Sequence, residues 1–372
     1  MLLFGIPATR APAPTGFLLL EDGGYLLNEA GGRISLNVLD LPPDVTLTWQ
    51  KNYEYIGTTA KPTFNDIKYA NGIYVAVGSF YDGFNNRFYA ITSVDGIVWT
   101  EIPRTKFVTS GYLGFTSFNS VQYSAVLGKW IFVATFYSLN NSPDAPGTRF
   151  YQSSDLITWT YSTIYGWQLY DLQHNGVEYI ARHTAHINYN QANNDNILYS
   201  TNLTSWTTAV YPSSGGSAIK ATNLTQTGGF FFALGVYLGS GNKTLYSSNG
   251  VTWQQFDSSI NFDQMYRIQG RWWAIDDSAV PYYSYDMVAW TQAVFSAPVS
   301  CKFMAYANGI YLVAGTSGFS SFIATSTDGI NFNVQIGSGP EATGAVQHLL
   351  SANEKFLWQH STLGAQRIYF SV

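Results

Sequence analysis

The chain is short of charge, nearly devoid of cysteine and without a long apolar run, and each shortage removes a class of readings. Asp, Glu, Lys and Arg make up 11% of its 372 residues and leave a net charge of −5. No Lys/Arg excess exists to neutralise phosphates, so no nucleic-acid partner is expected. The single cysteine, Cys301, cannot form an internal disulfide; at a strand start it reads as a buried thiol, tolerable in any redox compartment. No apolar stretch approaches the roughly 20 residues of a membrane helix, so no membrane insertion is expected. Met1–Ile6 followed by Ala11-Pro12-Ala13 is too short for a signal peptide and has no preceding basic residue. There is no Gly-x-Ser-x-Gly elbow. Gly239-Ser240-Gly241-Asn242-Lys243-Thr244 lacks the adjacent Gly-Lys-Thr of a phosphate loop and reads as a hairpin.

What is present is repetition. A hydrophobic run feeds a Ser-x-Asp/Asn turn and, four positions after the Asx, an aromatic residue. The copies are Asp95/Trp99, Asp155/Trp159, Asn202/Trp206, Asn249/Trp253, Asp286/Trp290 and Asp328/Phe332. A seventh is split between the chain ends, with Ser371 at one and Asp44 and Trp49 at the other. A period of roughly 37–60 residues signals a repeat array, and the split copy makes the array circular.

Within one unit, Phe64–Tyr69, Ile73–Val77 and Phe88–Thr92 read as strands, with Val98 and Trp99 in a fourth. Asn71-Gly72 and Asp95-Gly96 supply tight turns, because Asn, Asp and Gly tolerate positive φ. Four antiparallel strands per unit make a propeller blade. The spacing predicts an all-β, seven-bladed β-propeller over residues 44–372. Its blades lie at about 62–102, 116–161, 167–208, 217–256, 261–292, 301–334 and 344–372. The last has three strands of its own, and Val45–Trp49 is expected to complete it, closing the ring and removing an open edge.

The turn resembles the Asp-box of sialidase-like propellers, usually written Ser-x-Asp-x-Gly-x-Thr-Trp. Here it is one residue shorter, with Gly96, Gly250 and Gly329 directly after the Asx. The resemblance implies a structural role: the Asx side chain ties the hairpin and the aromatic packs within or between blades. An Asx oxygen accepting turn N–H groups and a period-locked Trp burying a large apolar area lead to the same expectation.

Residues 1–43 stand outside the repeats. Pro7, Pro12 and Pro14 mark an extended arm, followed by Leu19-Leu20-Glu21-Asp22-Gly23-Gly24 and its near-repeat Leu26–Gly32. This segment resembles the Leu-Leu-Glu-Asp-Gly segments of tailed-bacteriophage structural proteins. It reads either as a hairpin packed on the propeller or as an arm docking on other virion subunits.

Catalytic signatures are thin. A sialidase needs three arginines around a carboxylate, an acid/base Asp and a Tyr–Glu pair. Only Arg87, Arg149 and Arg367 recur at one blade position, the start of the third strand, and no Arg-Ile-Pro precedes the repeats. Asp66, Asp171 and Asp263 fall on first strands and are expected in the axial channel as solvated carboxylates, although paired carboxylates could also cleave glycosides. His183 and His186 share one expected loop but lack a clear third ligand. No catalytic residue, metal or cofactor is expected.

Connections between second and third strands carry more promise, being long in blades 1 to 3 and short elsewhere. They and the 103–116 connection offer Tyr81, Phe84, Asn85, Asn86, Tyr112, Tyr137, Asn141, His183, His186, Asn188 and Tyr189. Aromatic rings stack on pyranoses and amides bind hydroxyls, and loops on a rigid scaffold are a common seat of function. Three readings follow. The first is a virion receptor-binding or tail-fibre component attaching to host surface glycan, expected as a homo-oligomer. The second is a tail nozzle, adaptor or capsid decoration protein. The third is a secreted sialidase-like or other glycan-active enzyme.

Overall fold

The computed structural model describes residues 47, 49–54, 62–81, 86–107, 117–136, 147–184, 196–212, 221–237, 242–256, 260–317, 320–337, 345–362 and 365–371. Leu47–Val372 is a compact unit by itself. The arm at 1–43 lies outside the described residues.

The hairpin chemistry acts first. Asn71-Gly72, Gln269-Gly270 and Asn308-Gly309 each hold two successive positive φ angles, the mirror-image turn whose twist matches paired strands. Asn353-Glu354 does the same without glycine. These turns join first to second strands in blades 1, 5, 6 and 7, and the chain forms seven sheets, each with four antiparallel strands. Blade 1 comprises Pro62–Ala70, Ile73–Tyr81, Asn86–Ser93 and Thr100–Glu101. Blade 2 comprises Phe118–Ser124, Lys129–Phe136, Gly147–Ser153 and Thr160–Tyr165. Blade 3 has Gln168–His174, Tyr179–Thr184, Asn196–Ser200 and Thr207–Thr208. Blade 4 has Asn223–Thr227, Phe230–Tyr237, Asn242–Ser247 and Gln254–Gln255. Blade 5 has Phe262–Ile268, Arg271–Asp276, Pro281–Ser284 and Thr291–Gln292. Blade 6 has Ser300–Ala307, Ile310–Ser317, Ser320–Ser326 and Asn331–Ile336. Blade 7 has Ala345–Ala352, Lys355–Thr362 and Ala365–Ser371, and its fourth strand is Trp49–Glu54.

Ring closure is therefore direct: Trp49 faces Ser371 and Glu54 faces Arg367 in an antiparallel ladder. The strand sits later than the expected Val45–Trp49, of which 45, 46 and 48 lie outside the described residues.

A related correction applies to the turn tryptophans. The sequence pattern places Trp99 within the fourth strand. Instead Trp99, Trp159, Trp206, Trp253 and Trp290 each stand one residue before it, at the end of the turn. The Asx side chain is the cause. It captures the second and third N–H groups after itself, so pairing with the third strand starts only beyond the tryptophan. Phe332 lies inside Asn331–Ile336 because it pairs with Phe295; pairing with the third strand still starts beyond it, at Asn333.

Side-chain alternation along each second strand serves two interfaces at once. Tyr74 and Ala76 pack toward blade 7 with Leu357 and Ile368. Val75 and Val77 pack toward blade 2 with Phe118, Val121 and Phe132. Buried clusters of this kind fill all seven blade interfaces. Each fully buried Val, Leu or Phe contributes about 1.5–3 kcal/mol. Blade 6 gains a fifth strand, Val294–Phe295, which pairs in parallel with Asn331 and Phe332. There Phe295 stacks on Phe332 at 4.8 Å, where other blades carry Trp.

Candidate functional site

The axial channel is built from first strands, and a recurrent irregularity shapes it. The pairing of first to second strand slips between Phe64/Asp66, Phe118/Ser120, Tyr170/Gln173, Phe262/Gln264, Cys301/Phe303 and Val346/His348. A bulge places two residues opposite one and re-aims the side chains beside it. All seven first strands line the resulting cavity of about 430 Å³, which carries Asn65, Asp66, Asn119, Asp171, Gln264 and His348 among its polar groups.

These groups fasten blade to blade. Asp66 Oδ2 accepts from the Val121 N–H of blade 2 at 3.0 Å, and Ser120 Oγ accepts from the Leu172 N–H of blade 3 at 3.3 Å. Thr227 Oγ1 accepts from the Arg267 N–H, and the Tyr266 hydroxyl from the Met304 N–H. Asn65 Nδ2 donates to the Phe118 carbonyl at 2.7 Å, and Lys302 Nζ to that of Val346 at 3.1 Å. The first strand is an edge of its sheet, so its outward N–H groups have no ladder partner; a buried one must find an acceptor, and the neighbouring blade supplies it.

The carboxylates are thus committed. Asp66 spends its other oxygen on the Ile67 N–H at 2.8 Å, and Lys68 stands 3.8 Å away. Asp171 pairs with Arg182 at 2.9 Å. Burial pushes the Asp171 carboxyl above its usual range, and Arg182 opposes that push. Burial also lowers His348, with the Asp66 charge opposing. Asp263, expected in the channel, is not among its lining residues. It stands near Asp276 and Asp277, and burial followed by those two charges raises its carboxyl. Blade 5 lines the channel with Gln264 and Tyr266 instead.

The recurrent arginines stand on the third strands of three different blades. Arg149 is buried on the third strand of blade 2, with its guanidinium over the Tyr161 ring at 4.2 Å and Nε donating to Thr163 Oγ1. Arg87 and Arg367 hold comparable third-strand positions opposite Phe80 and His360.

In the loop set, Tyr81 and Asn86 face each other at the last rung of the blade 1 ladder. The blade 1 connection is therefore only 82–85, no longer than 238–241 or 277–280 in blades 4 and 5. Long connections belong to blades 2 and 3, at 137–146 and 185–195. Phe84, Asn85, Tyr112, Tyr137, Asn141, His186, Asn188 and Tyr189 lie outside the described residues. His183 is not in the loop: it pairs with Leu169 and Asn196 as a strand residue and is buried near Trp167. His183 and Asn196 form the last rung between the second and third strands.

On the opposite face, six turns share one bonding scheme. In blade 1 Ser93 Oγ accepts from the Gly96 N–H at 2.8 Å, and Asp95 Oδ1 accepts from Ile97 N and Val98 N at 2.8 and 2.9 Å. Asp155, Asn202, Asn249, Asp286 and Asp328 accept equivalent pairs of N–H groups. Those donors hold the Asp95, Asp155 and Asp286 carboxyls below their ordinary range; Asp328 is also lowered, although burial opposes the shift. The split copy keeps Ser371, whose hydroxyl accepts from the Phe356 N–H, and Trp49, edge-on to Trp358 at 5.6 Å.

The indoles are less uniform than the Asx groups. Trp99, Trp253 and Trp290 donate Nε1 to the carbonyl three residues back, at 3.0, 2.9 and 3.2 Å. Trp159 and Trp206 bury Nε1 without a hydrogen-bond partner among the described residues. Their place is set by ring packing instead: Trp206 stacks on Phe150 of blade 2 at 5.6 Å, and Trp159 lies 4.6 Å from Phe132 and 5.2 Å from Phe107. Trp290 also packs on Phe262, at 4.7 Å. Nor is burial equal. Trp253 and Trp206 are buried, whereas Trp99, Trp159 and Trp290 are only partly so.

No family model matches the sequence, and no curated protein is significantly similar to it. Solved structures share its fold. YCF48 bound to D1 peptide is 14% identical with a TM-score of 0.56, covering 87% of this chain and 95% of that one. YCF48 from Cyanidioschyzon merolae is 10% identical with a TM-score of 0.54, covering 87% and 98%. A prolyl endopeptidase gives 0.54 at 11% identity, covering 84% of this chain and 50% of its own; the chain thus spans about half the length of that enzyme. At these identities the likeness is one of fold alone.

Proposed function

We propose that the chain is a non-catalytic binding subunit of a bacteriophage virion, attaching to host surface glycan through the loop face of blades 2 and 3. The observation that carries this reading is the contrast in connection length on one rigid ring. Blades 2 and 3 interpose 137–146 and 185–195 between second and third strands, whereas blades 6 and 7 interpose only 318–319 and 363–364. A scaffold that closes this turn in two residues has no structural need for ten. The Tyr, Asn and His content of those segments suits hydroxyl-rich ligands. The absence of catalysis rests on the channel carboxylates being spent on blade-to-blade bonds and on Arg182. The virion setting rests on the low charge and on the Leu-Leu-Glu-Asp-Gly resemblance of the arm, which would contact other virion subunits in a homo-oligomer. The turn scheme, with its Asx acceptor and its aromatic, is compatible with a shortened Asp-box.

Glycan-array and host-cell binding by the intact chain tests this. Replacing 137–146 and 185–195 together with two-residue Asn-Gly turns should abolish binding while the melting transition persists. Undiminished binding by that variant, or turnover of a polysaccharide, would reject the reading.

A further inference from the structure

The repeats supply their own control. The three solvent-facing positions of the Ser-x-Asx turn are Thr201, Thr204 and Ser205 in blade 3, all exposed and all polar. In blade 1 they are Val94, Ile97 and Val98, exposed at 71%, 37% and 68%. Both turns make the same hydrogen bonds to Ser and Asx. The fold therefore does not require apolar groups there. A single exposed valine needs no explanation, but a contiguous apolar patch marks an interaction site.

The patch is contiguous. Ile157, in the next turn, is 64% exposed. With Val94 and Val98 it lines one groove of about 430 Å³, which Ile73, Ile102 and Leu156 also line. The groove's charged groups are Asp95, Glu101 and Asp155. Glu101 is neutralised by Arg104 at 3.0 Å. Asp95 and Asp155 make no ion pair among the described residues. The turn uses only Oδ1 of Asp95, leaving Oδ2 toward solvent. An apolar trough with two uncompensated carboxylates at its rim complements a hydrophobic side chain between cations.

We propose that this groove, on the face opposite the long loops, docks a segment of a partner protein in which a bulky apolar side chain is flanked by lysine or arginine. The apolar side chain lies between Val94, Val98 and Ile157, and the flanking cations meet Asp95 and Asp155. The site is independent of the loop face, so either can fail without the other.

The test uses the full chain and three fluorescein-labelled peptides: Lys-Phe-Lys-Leu-Lys, Glu-Phe-Glu-Leu-Glu and Lys-Ser-Lys-Ser-Lys. The first should bind saturably, at least about 10-fold tighter than the other two, and should weaken as salt shortens the screening length. Val94→Thr with Val98→Thr, which copies the polarity of blade 3, should weaken it about 10-fold without lowering the melting temperature. Asp95→Asn with Asp155→Asn should weaken it several-fold and flatten the salt dependence. No saturable binding of the first peptide, equal binding of the acidic peptide, or full affinity in the Val→Thr variant would each overturn the proposal. So would sedimentation showing a dimer that Val94→Thr with Val98→Thr converts to monomer, because the occupant would then be a second copy.

Discussion

The turns of blade 1 and blade 3 fold alike and differ in what they show to solvent. Each has Ser and Asx oxygens accepting three backbone N–H groups, followed by a tryptophan against the blade interface. One displays valine and isoleucine, the other threonine and serine. A repeat array thus separates two kinds of position within seven residues: a bonded frame that the six described copies keep, and an outer set that can differ between copies.

Breaking the frame should produce the largest effects. Trp253→Ala removes a 2%-exposed indole and its bond to Gly250, and should cost about 3–5 kcal/mol in denaturant unfolding. Trp99→Ala, only partly buried, should cost less. The next effect concerns the residue after the Asx, which holds φ of 64° at Leu203 and 59° at Leu156. A left-handed leucine is strained by roughly 1–2 kcal/mol, which glycine would relieve. Leu203 is fully buried, so Leu203→Gly should still destabilise by about 2 kcal/mol net, because the cavity outweighs the relief. Leu156 is less buried, and Leu156→Gly should come closer to neutral.

The acid response sharpens the comparison further. The Asp95 carboxyl sits below its ordinary value because the N–H groups of Val98 and Ile97 favour the charged form. A folded-state pKa below the unfolded value of about 3.9 stabilises the fold above that pH, and the contribution is lost as pH falls through the folded value. The melting-temperature gap between the wild type and Asp95→Asn should therefore be full at neutral pH and close below about pH 4. Asn202→Ala, with no charge to lose, should open a gap that this titration does not close. The smallest effect is expected outside the frame, where substitutions at Val94, Ile97 and Val98 should stay within about 0.5 kcal/mol.

Much of this was legible in the chain, for identifiable reasons. Asn71-Gly72 and Asn308-Gly309 announce hairpins because few residues accept paired positive φ. The Ser-x-Asx copies mark each blade because their side chains bond locally. The tryptophans were legible as markers but not in their detail: an identical spacing leaves Trp290 hydrogen-bonded and Trp159 and Trp206 held by ring contacts alone. Bonds between distant residues were not legible. The bulges that turn Asp66 and Ser120 toward a neighbouring blade depend on the pairing of first and second strands, which no local pattern encodes. Val294–Phe295 is too short to show a period and gains its partner only when blade 6 is assembled. His183 looked like a loop residue because polar residues surround it, yet it is paired on both sides, with Leu169 and with Asn196.

The most direct test of the division between frame and outer set is denaturant unfolding of Val94→Thr/Ile97→Thr/Val98→Ser beside the wild type. The account predicts superimposable curves, with midpoints equivalent to within about 0.5 kcal/mol. A loss above about 2 kcal/mol, or an uncooperative transition, would contradict it and make those side chains part of the fold.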